Sequence, residues 1–135
     1  MDESEDRTWC YTLAEATEIL PNVRGVTRRL QETWLAAGPE RRKFEVAQSS
    51  DQSPVDVSLA HQAFVAALWD VQPLAAWLRS RGIVLRDLST GLVDFPSEID
   101  GEEAFLCWRL GEDEIGYWHG TDEGFGSRKP LPPEF

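Results

Sequence analysis

The spacing of apolar residues changes at Gly82, and this change constrains the fold more than any other feature of the chain. Before Gly82, apolar residues recur every three to four positions, a spacing typical of helices with one buried face. After Gly82, apolar runs of strand length alternate with turn residues. The sequence therefore predicts an α+β domain in which helices come first and an antiparallel sheet follows.

Two helices are predicted to form an antiparallel hairpin over about residues 12–82. The first begins after Thr12, which forms a capping box with Glu15, and it ends at Gly38-Pro39. Residues 39–53 are charged and polar without a helical period, which predicts a mobile loop. The hairpin is thus expected to contain two amphipathic helices and one long connection.

The second helix is predicted to begin at Ser53-Pro54, because serine is a favourable N-cap and proline a favourable first residue. Gly82 is placed to end this helix. Pro73 interrupts the helical pattern between these limits. A proline inside a helix removes a hydrogen bond, so we predict a kink or a split there.

Three or four strands are predicted in the β-rich half, residues 83–135, where they form an antiparallel meander. The predicted strands cover residues 83–85, 92–95, 103–109 and 115–119. Asp100-Gly101 is a hairpin signal at the end of a predicted turn over residues 96–101. Since the apolar face of this sheet needs a cover, the helical hairpin is expected to pack on it, and residues 1–135 are predicted to form one domain.

The net charge of −11 is concentrated near the C-terminus, where residues 83–135 hold twelve acidic and four basic residues. Such a surface repels phosphates, which argues against nucleic acid or a membrane as partner. Residues 1–6 are acidic where a secretory signal would be basic, and no apolar run reaches the roughly 20 residues of a membrane span. Cys10 and Cys107 match no metal or redox spacing and are predicted to be buried free thiols. A cytoplasmic protein is therefore expected.

Several uncommon residues follow one another in an order specific enough to indicate a family. The strings are Thr12-Leu13 with Glu15-Ala16 and Leu20-Pro21, Gly91-Leu92-Val93-Asp94-Phe95-Pro96, Leu106-Cys107-Trp108-Arg109-Leu110-Gly111-Glu112, Tyr117-Trp118-His119, Gly124-Phe125 and Arg128. With them the chain resembles, over nearly its whole length, the prokaryotic domain-of-unknown-function family numbered 2203. The resemblance implies a small bacterial protein without an established activity, so it assigns no catalytic residues.

Polar residues at strand ends and turns of the aromatic second half are the candidates for chemistry. Asp94, Glu112 and His119 are candidate catalytic residues or metal ligands, since imidazole and carboxylates together suit several divalent transition metals. The chain has only two histidines, and they are far apart. No cofactor is therefore predicted, and a divalent metal is the alternative.

Three aromatic residues and two arginines are candidates for a ligand pocket. They are Trp108, Arg109, Tyr117, Trp118 and Arg128. In such a pocket the arginines would bind a small anion and the rings would form the walls. If the last two strands pair, Arg109 and His119 are expected to approach each other. The alternative is structural, with the charged residues in ion pairs and Cys107 as an inert buried thiol.

Six tryptophans in 135 residues indicate a contact surface, because tryptophan is enriched where proteins meet. The leading hypothesis is a non-enzymatic binding or interaction protein: a homodimer whose helices supply part of the interface. Its Trp- and Arg-lined surface on the sheet side would take a small anionic ligand or a protein partner. The alternative is a small metal- or Arg-assisted hydrolase acting on an anionic metabolite, with His119 as general base or ligand. Convergence of Asp94, Glu112 and His119 in one concave site would favour the hydrolase.

Overall fold

The structure is a computed structural model that describes residues 9–133, so the acidic residues 1–6 lie outside the described part. Four helices precede a five-stranded antiparallel sheet, and the α+β class predicted from the sequence is confirmed. The helices are α1 (Leu13–Ala36), α2 (Gly38–Ser49), α3 (Pro54–Ala67) and α4 (Val71–Ser80). The strands are β1 (Val84–Asp87), β2 (Leu92–Ile99), β3 (Glu102–Arg109), β4 (Tyr117–Gly120) and β5 (Lys129–Pro130), and a 3-10 turn (Phe125–Ser127) precedes β5.

The loop predicted over residues 39–53 is wrong, because most of this segment belongs to α2. A single residue separates α1 from α2, and Pro39 occupies the first turn of α2. A proline there costs no helical hydrogen bond, and its fixed φ suits a helix start. Gly38-Pro39 therefore ends one helix and begins the next. Arg41 and Glu45, whose polarity indicated a loop, instead form an i, i+4 ion pair on the helix surface.

The second predicted helix is split into α3 and α4, as its proline indicated. The break lies at residues 68–70, and Pro73 falls in the first turn of α4, where its missing N–H costs nothing. Ser53 is the N-cap of α3 and accepts a hydrogen bond from the amide of Asp56. The helical half therefore contains four helices and not the two-helix hairpin that the sequence predicted.

The sheet is a meander in the order β1-β2-β3-β4-β5, with five strands where three or four were predicted. The β2–β3 hairpin turns at Asp100 and Gly101, whose φ values of 54° and 80° suit a two-residue type I′ turn, so this prediction is confirmed. The turn predicted over residues 96–101 is otherwise wrong, since β2 continues through Pro96. Pro96 is tolerated because the pairing with β1 ends at Asp94, which leaves Pro96 at an edge.

One face of the sheet packs against α1 and α4 and forms the core. Val93, Phe95, Leu106 and Trp108, from β2 and β3, are fully buried there. The helices add Ala16, Leu20, Val23, Leu30 and Leu78. The expected packing of helices on the sheet is therefore found, although α2 and α3 supply no residue to the described core.

Helices α2 and α3, here called the arm, pack chiefly against each other. The rings of Phe44 in α2 and Phe64 in α3 lie 6.1 Å apart, and Trp34 of α1 reaches Phe64 at 6.4 Å. None of the fourteen residues of α3 is buried. Within residues 9–133, no helix has both the length and the apolar character needed to span a membrane.

Candidate functional site

The polar residues singled out from the sequence gather on the face of the sheet opposite the core, here called the open face. Side chains alternate between the two faces of a strand, and directly paired residues share a face. Asp94 of β2 pairs with Cys107 of β3, which pairs in turn with Tyr117 of β4. His119 follows two residues later on the same side of β4. The strands therefore bring Asp94, Cys107 and His119 together.

Asp94 and His119 form a buried contact on the open face, where both side chains are only 2% exposed. The Nε2 atom of His119 lies 2.9 Å from Oδ2 of Asp94, and Arg86 donates a 2.7 Å hydrogen bond from Nε to the same oxygen. The other ring nitrogen, Nδ1, lies 2.8 Å from the carbonyl oxygen of Gly120. Within the described residues, Oδ1 of Asp94 has no hydrogen-bond partner.

Both ring nitrogens of His119 thus face oxygen atoms, yet a neutral imidazole carries a single N–H. When one nitrogen donates, the lone pair of the other points at an oxygen unless a proton or a cation lies between them. If Nδ1 donates to Gly120, the position that needs filling lies between Nε2 and Asp94. In a buried site, a nitrogen lone pair that faces an oxygen is stable only when a proton or a cation lies between the two atoms.

Cys107 completes a cluster with Asp94 and His119. One potential ligating atom from each residue lies within 4.8 Å of the other two, and all three residues are buried. Burial raises the pKa of the Cys107 thiol to about 11, and the charge of Asp94 acts in the same direction. The protonated thiol is a poor nucleophile. The prediction of a buried free thiol is confirmed for Cys107 and wrong for Cys10, which is exposed beside the buried Tyr11.

A cavity of about 310 Å³ opens over this cluster. Its charged lining residues are Arg86, Asp94, Asp122 and Glu123, together with His119. Three carboxylates lie against the guanidinium of Arg86 and the ammonium of Lys129, which pairs with Glu123, so the net charge at the lining is negative and favours a cation over an anion. A larger, more open groove of about 1090 Å³ beside the start of α1 holds no comparable cluster among the described residues.

Glu112 does not join Asp94 and His119, because it binds Arg128 instead. Arg128 donates from Nη1 and Nη2 to the two carboxylate oxygens of Glu112 at 3.0 and 2.7 Å, and the amide of Arg109 donates to Oε1 at 2.8 Å. Burial acts to raise the pKa of Glu112, but these hydrogen bonds outweigh it and hold the pKa below its usual value. The same pairing raises the pKa of Arg128. The guanidinium fork of Arg128 is therefore occupied within the chain.

The aromatic residues predicted to line one pocket lie on two faces of the sheet. Trp108 is fully buried in the core, and Trp118 packs against that core. Tyr117 lies on the open face, where the guanidinium of Arg128 stacks 3.9 Å from its ring centroid. The tryptophans and the arginines are therefore not parts of one wall.

Arg109 and His119 are not brought together. The register pairs His119 with Phe105, which lies four residues before Arg109 on β3. Four residues of strand span about 13 Å. The guanidinium of Arg109 instead lies 5.2 Å from the ring centroid of Phe125.

The sequence reasoning missed Arg86, Cys107 and residues 121–125 as parts of this site. A signal for the pairing of Cys107 with Asp94 is nevertheless present. A two-residue turn at Asp100-Gly101 fixes the β2–β3 register, in which paired residue numbers add up to 201, as 94 and 107 do. Residues 121–125 carry no comparable signal, because they lie outside the strands.

Comparison with known proteins identifies the family. A family model described as "Uncharacterized conserved protein (DUF2203)" matches residues 9–131. No curated protein and no solved structure matches the chain. The matched segment contains the whole Asp94, Cys107 and His119 cluster, and it confirms the resemblance stated from the sequence. The chain therefore belongs to the DUF2203 family of uncharacterized conserved proteins.

Proposed function

We propose that this protein is a non-enzymatic binding protein whose ligand site is the cavity on the open face. The observation that carries the proposal is the buried contact between Asp94 and His119 beneath that cavity. Burying polar and charged groups costs free energy, so a sheet face that served stability alone would be better filled by apolar side chains. Asp94, Cys107 and His119 instead direct polar atoms towards one cavity.

The charges favour a cationic ligand over the anionic ligand expected from the sequence. The fork of Arg128, a candidate for binding an anion, is taken by Glu112. Asp94, Asp122 and Glu123 line the cavity. Among the described residues only two cations, Arg86 and Lys129, pair with them, so the remaining net charge is negative and attracts cations. A cationic or N–H-bearing ligand would also satisfy Oδ1 of Asp94, which has no partner within the described residues.

The hydrolase alternative receives less support from the same contacts. A general base needs a nitrogen that can accept a substrate proton, and both nitrogens of His119 are engaged by oxygens. Cys107 is a weak nucleophile because burial raises its pKa to about 11. Glu112 is held by Arg128. Binding is therefore the function that these residues favour.

We also propose that the protein is a homodimer formed through α3. Phe64 lies on the side of α3 that faces α2. The opposite side carries four exposed apolar residues at helical spacing, here called the α3 stripe: Val55, Leu59, Ala63 and Ala66. An apolar face of a helix is normally covered, and this one has no cover among the described residues.

A second copy of the chain is the partner that fits the α3 stripe. The stripe is uncharged, so two copies related by a twofold axis would meet without like charges, and its alanines allow two helices to approach closely. The helical half exposes six large apolar side chains: Leu35, Val46, Val55, Leu59, Val65 and Trp69. Of these, Val55 and Leu59 belong to the α3 stripe, and a second copy that covers them would remove apolar area from water.

The bacterial cytoplasm is the compartment that we propose. The family resemblance supports a bacterial origin. Cys10 is exposed and free, and Cys107 is buried and free, a state that a reducing compartment maintains.

Thermal unfolding of the purified protein with divalent metal ions, spermidine and inorganic phosphate tests the ligand site. Cations are expected to raise the midpoint by several degrees, since a ligand at 100 times its dissociation constant stabilises by about 2.7 kcal/mol. Asp94→Asn should abolish the shift, whereas Asp113→Asn, an exposed carboxylate outside the cavity, should retain it. A cation shift that persists in folded Asp94→Asn, or no shift with any cation, would contradict the proposal.

A further inference from the structure

We infer that Asp94, Cys107 and His119 bind a thiophilic divalent metal ion such as Zn²⁺. The inference rests on the binding function proposed above and names the ligand class of the same cavity. The metal site considered from the sequence has Glu112 as its third ligand, whereas the third ligand inferred here is Cys107. The three residues offer carboxylate, thiol and imidazole groups from three consecutive strands.

The distances within the cluster suit a metal ion. Zn²⁺ binds nitrogen, oxygen and sulfur at about 2.0 to 2.3 Å, so ligand atoms around a tetrahedral ion lie roughly 3.3 to 3.7 Å apart. One atom from each of the three residues lies within 4.8 Å of the others. Nε2 of His119 and Oδ2 of Asp94 are 2.9 Å apart. Small side-chain movements would therefore bring the three groups to ligand spacing.

The surrounding contacts are those that support metal ligands. A histidine that binds a metal through one nitrogen commonly donates its other N–H to a carbonyl, and Nδ1 of His119 lies 2.8 Å from the carbonyl of Gly120. Ligating carboxylates are also held by hydrogen bonds, as Arg86 holds Oδ2 of Asp94. Oδ1 of Asp94, on a side chain only 2% exposed, has no partner within residues 9–133. A metal ion would satisfy this oxygen and the lone pair on Nε2 together.

Cys107 determines which ions fit. Mg²⁺ and Ca²⁺ bind oxygen ligands, whereas a thiolate with an imidazole selects Zn²⁺ or its spectroscopic substitute Co²⁺. Binding forms the metal–sulfur bond and releases the thiol proton of Cys107 to solvent. The thiolate and the carboxylate of Asp94 then face the divalent ion with two negative charges, while Arg86 keeps its ion pair with Asp94.

Three protein ligands leave the fourth position of a tetrahedral ion open. The cavity of about 310 Å³ is lined by all three residues of the cluster, so water or a small ligand could reach that position. Glu123 also lines the cavity, but its Oε1 already accepts hydrogen bonds from the amide of Gly120 and the ammonium of Lys129. The open fourth position is thus where the small ligand of the proposed binding function would be held.

A Co²⁺ titration of the full chain, followed by absorption spectroscopy, tests the inference. We expect one Co²⁺ per chain and a near-ultraviolet thiolate-to-cobalt charge-transfer band that Cys107→Ser removes. Cys10→Ser is the matched control, because it removes the exposed cysteine and should leave the band unchanged. His119→Gln keeps the thiol but removes the imidazole ligand. Loss of a residue that only supports a metal ligand weakens metal binding by about 10- to 100-fold, so the loss of Co²⁺ affinity in His119→Gln should be at least as large. Circular dichroism checks that each variant folds.

Zn²⁺ is expected to displace Co²⁺, and excess Mg²⁺ is not. A band that survives in Cys107→Ser, or that disappears in Cys10→Ser, would place the metal elsewhere and overturn the inference. Failure of the folded wild type to bind Co²⁺ or Zn²⁺ would also overturn it. In that case, if spermidine stabilises the wild type but not Asp94→Asn, the proposed binding function still stands. If no cation stabilises the wild type, both the metal inference and the proposed binding function are contradicted.

Discussion

The sheet body and the arm differ in the burial of their apolar residues. The sheet body is made of the sheet with α1 and α4, and the arm is made of α2 and α3. In the body, Phe95, Leu106 and Trp108 are fully buried between sheet and helices. In the arm, no residue of α3 is buried, and Val55 and Leu59 are 66% and 58% exposed. A helix that is apolar on opposite sides is stable where both sides are covered. We infer that the body is complete within one chain, whereas a second copy completes the arm.

Truncation of an apolar side chain should lower the free energy of unfolding much more in the body than in the arm, and this is the largest difference that we expect between the two regions. Phe95→Ala removes a ring from the core of the body and is expected to lower the free energy of unfolding by about 3–5 kcal/mol. Leu59→Ala truncates an exposed side chain of the arm and should change the stability of the monomer by less than about 0.5 kcal/mol. Urea denaturation at low protein concentration measures both values. A large loss for Leu59→Ala under these conditions would mean that one chain already covers the α3 stripe.

The body and the arm should also differ in how much an ion pair contributes to stability. Glu112 and Arg128 are 19% and 14% exposed and 2.7 Å apart, whereas Arg41 and Glu45 in the arm are 3.9 Å apart and more exposed. Glu112→Gln should cost about 1.5–3 kcal/mol, because a partly buried charged hydrogen bond is lost. Glu45→Gln should cost less than about 0.5 kcal/mol. Chemical denaturation at neutral pH compares the two variants.

The pair of Glu112 and Arg128 also sets a pH dependence. The folded pKa of Glu112 lies below its ordinary value of 4.5, so its stabilisation is present above pH 4.5 and is lost as the pH falls through the folded pKa. The wild type should therefore lose stability below pH 4.5 more steeply than Glu112→Gln does. Equal acid dependence of the two proteins would mean that this pair does not stabilise the body.

Local signals in the sequence predicted those parts of the fold that depend on neighbouring residues. The capping box of Thr12 and Glu15 and the turn at Asp100-Gly101 are found where the sequence indicates, because each acts across a few positions. Helix α2 could not be predicted in this way. Its exposed charges resemble those of a loop, and its apolar residues pack on α3 and not on the core.

The candidate site could be predicted only in part. Asp94 and His119 stood out as polar residues among aromatic ones, and the structure brings them together. Glu112 stood out for the same reason but is bound by Arg128, whose position over Tyr117 depends on tertiary packing of the segment after β4. Local spacing carries no information on such packing. Arg86 likewise joins Asp94 only because β1 lies beside β2.

Sedimentation equilibrium tests most directly the claim that the body is complete in one chain and the arm is not. The wild type is expected to sediment with twice the chain mass of 15.3 kDa. Leu59→Glu, which places a charge in the α3 stripe, should sediment as a monomer with an unchanged circular dichroism spectrum. Gln48→Glu, an exposed position of α2, is the control and should remain a dimer. A wild type that stays monomeric at its highest soluble concentration would contradict the account.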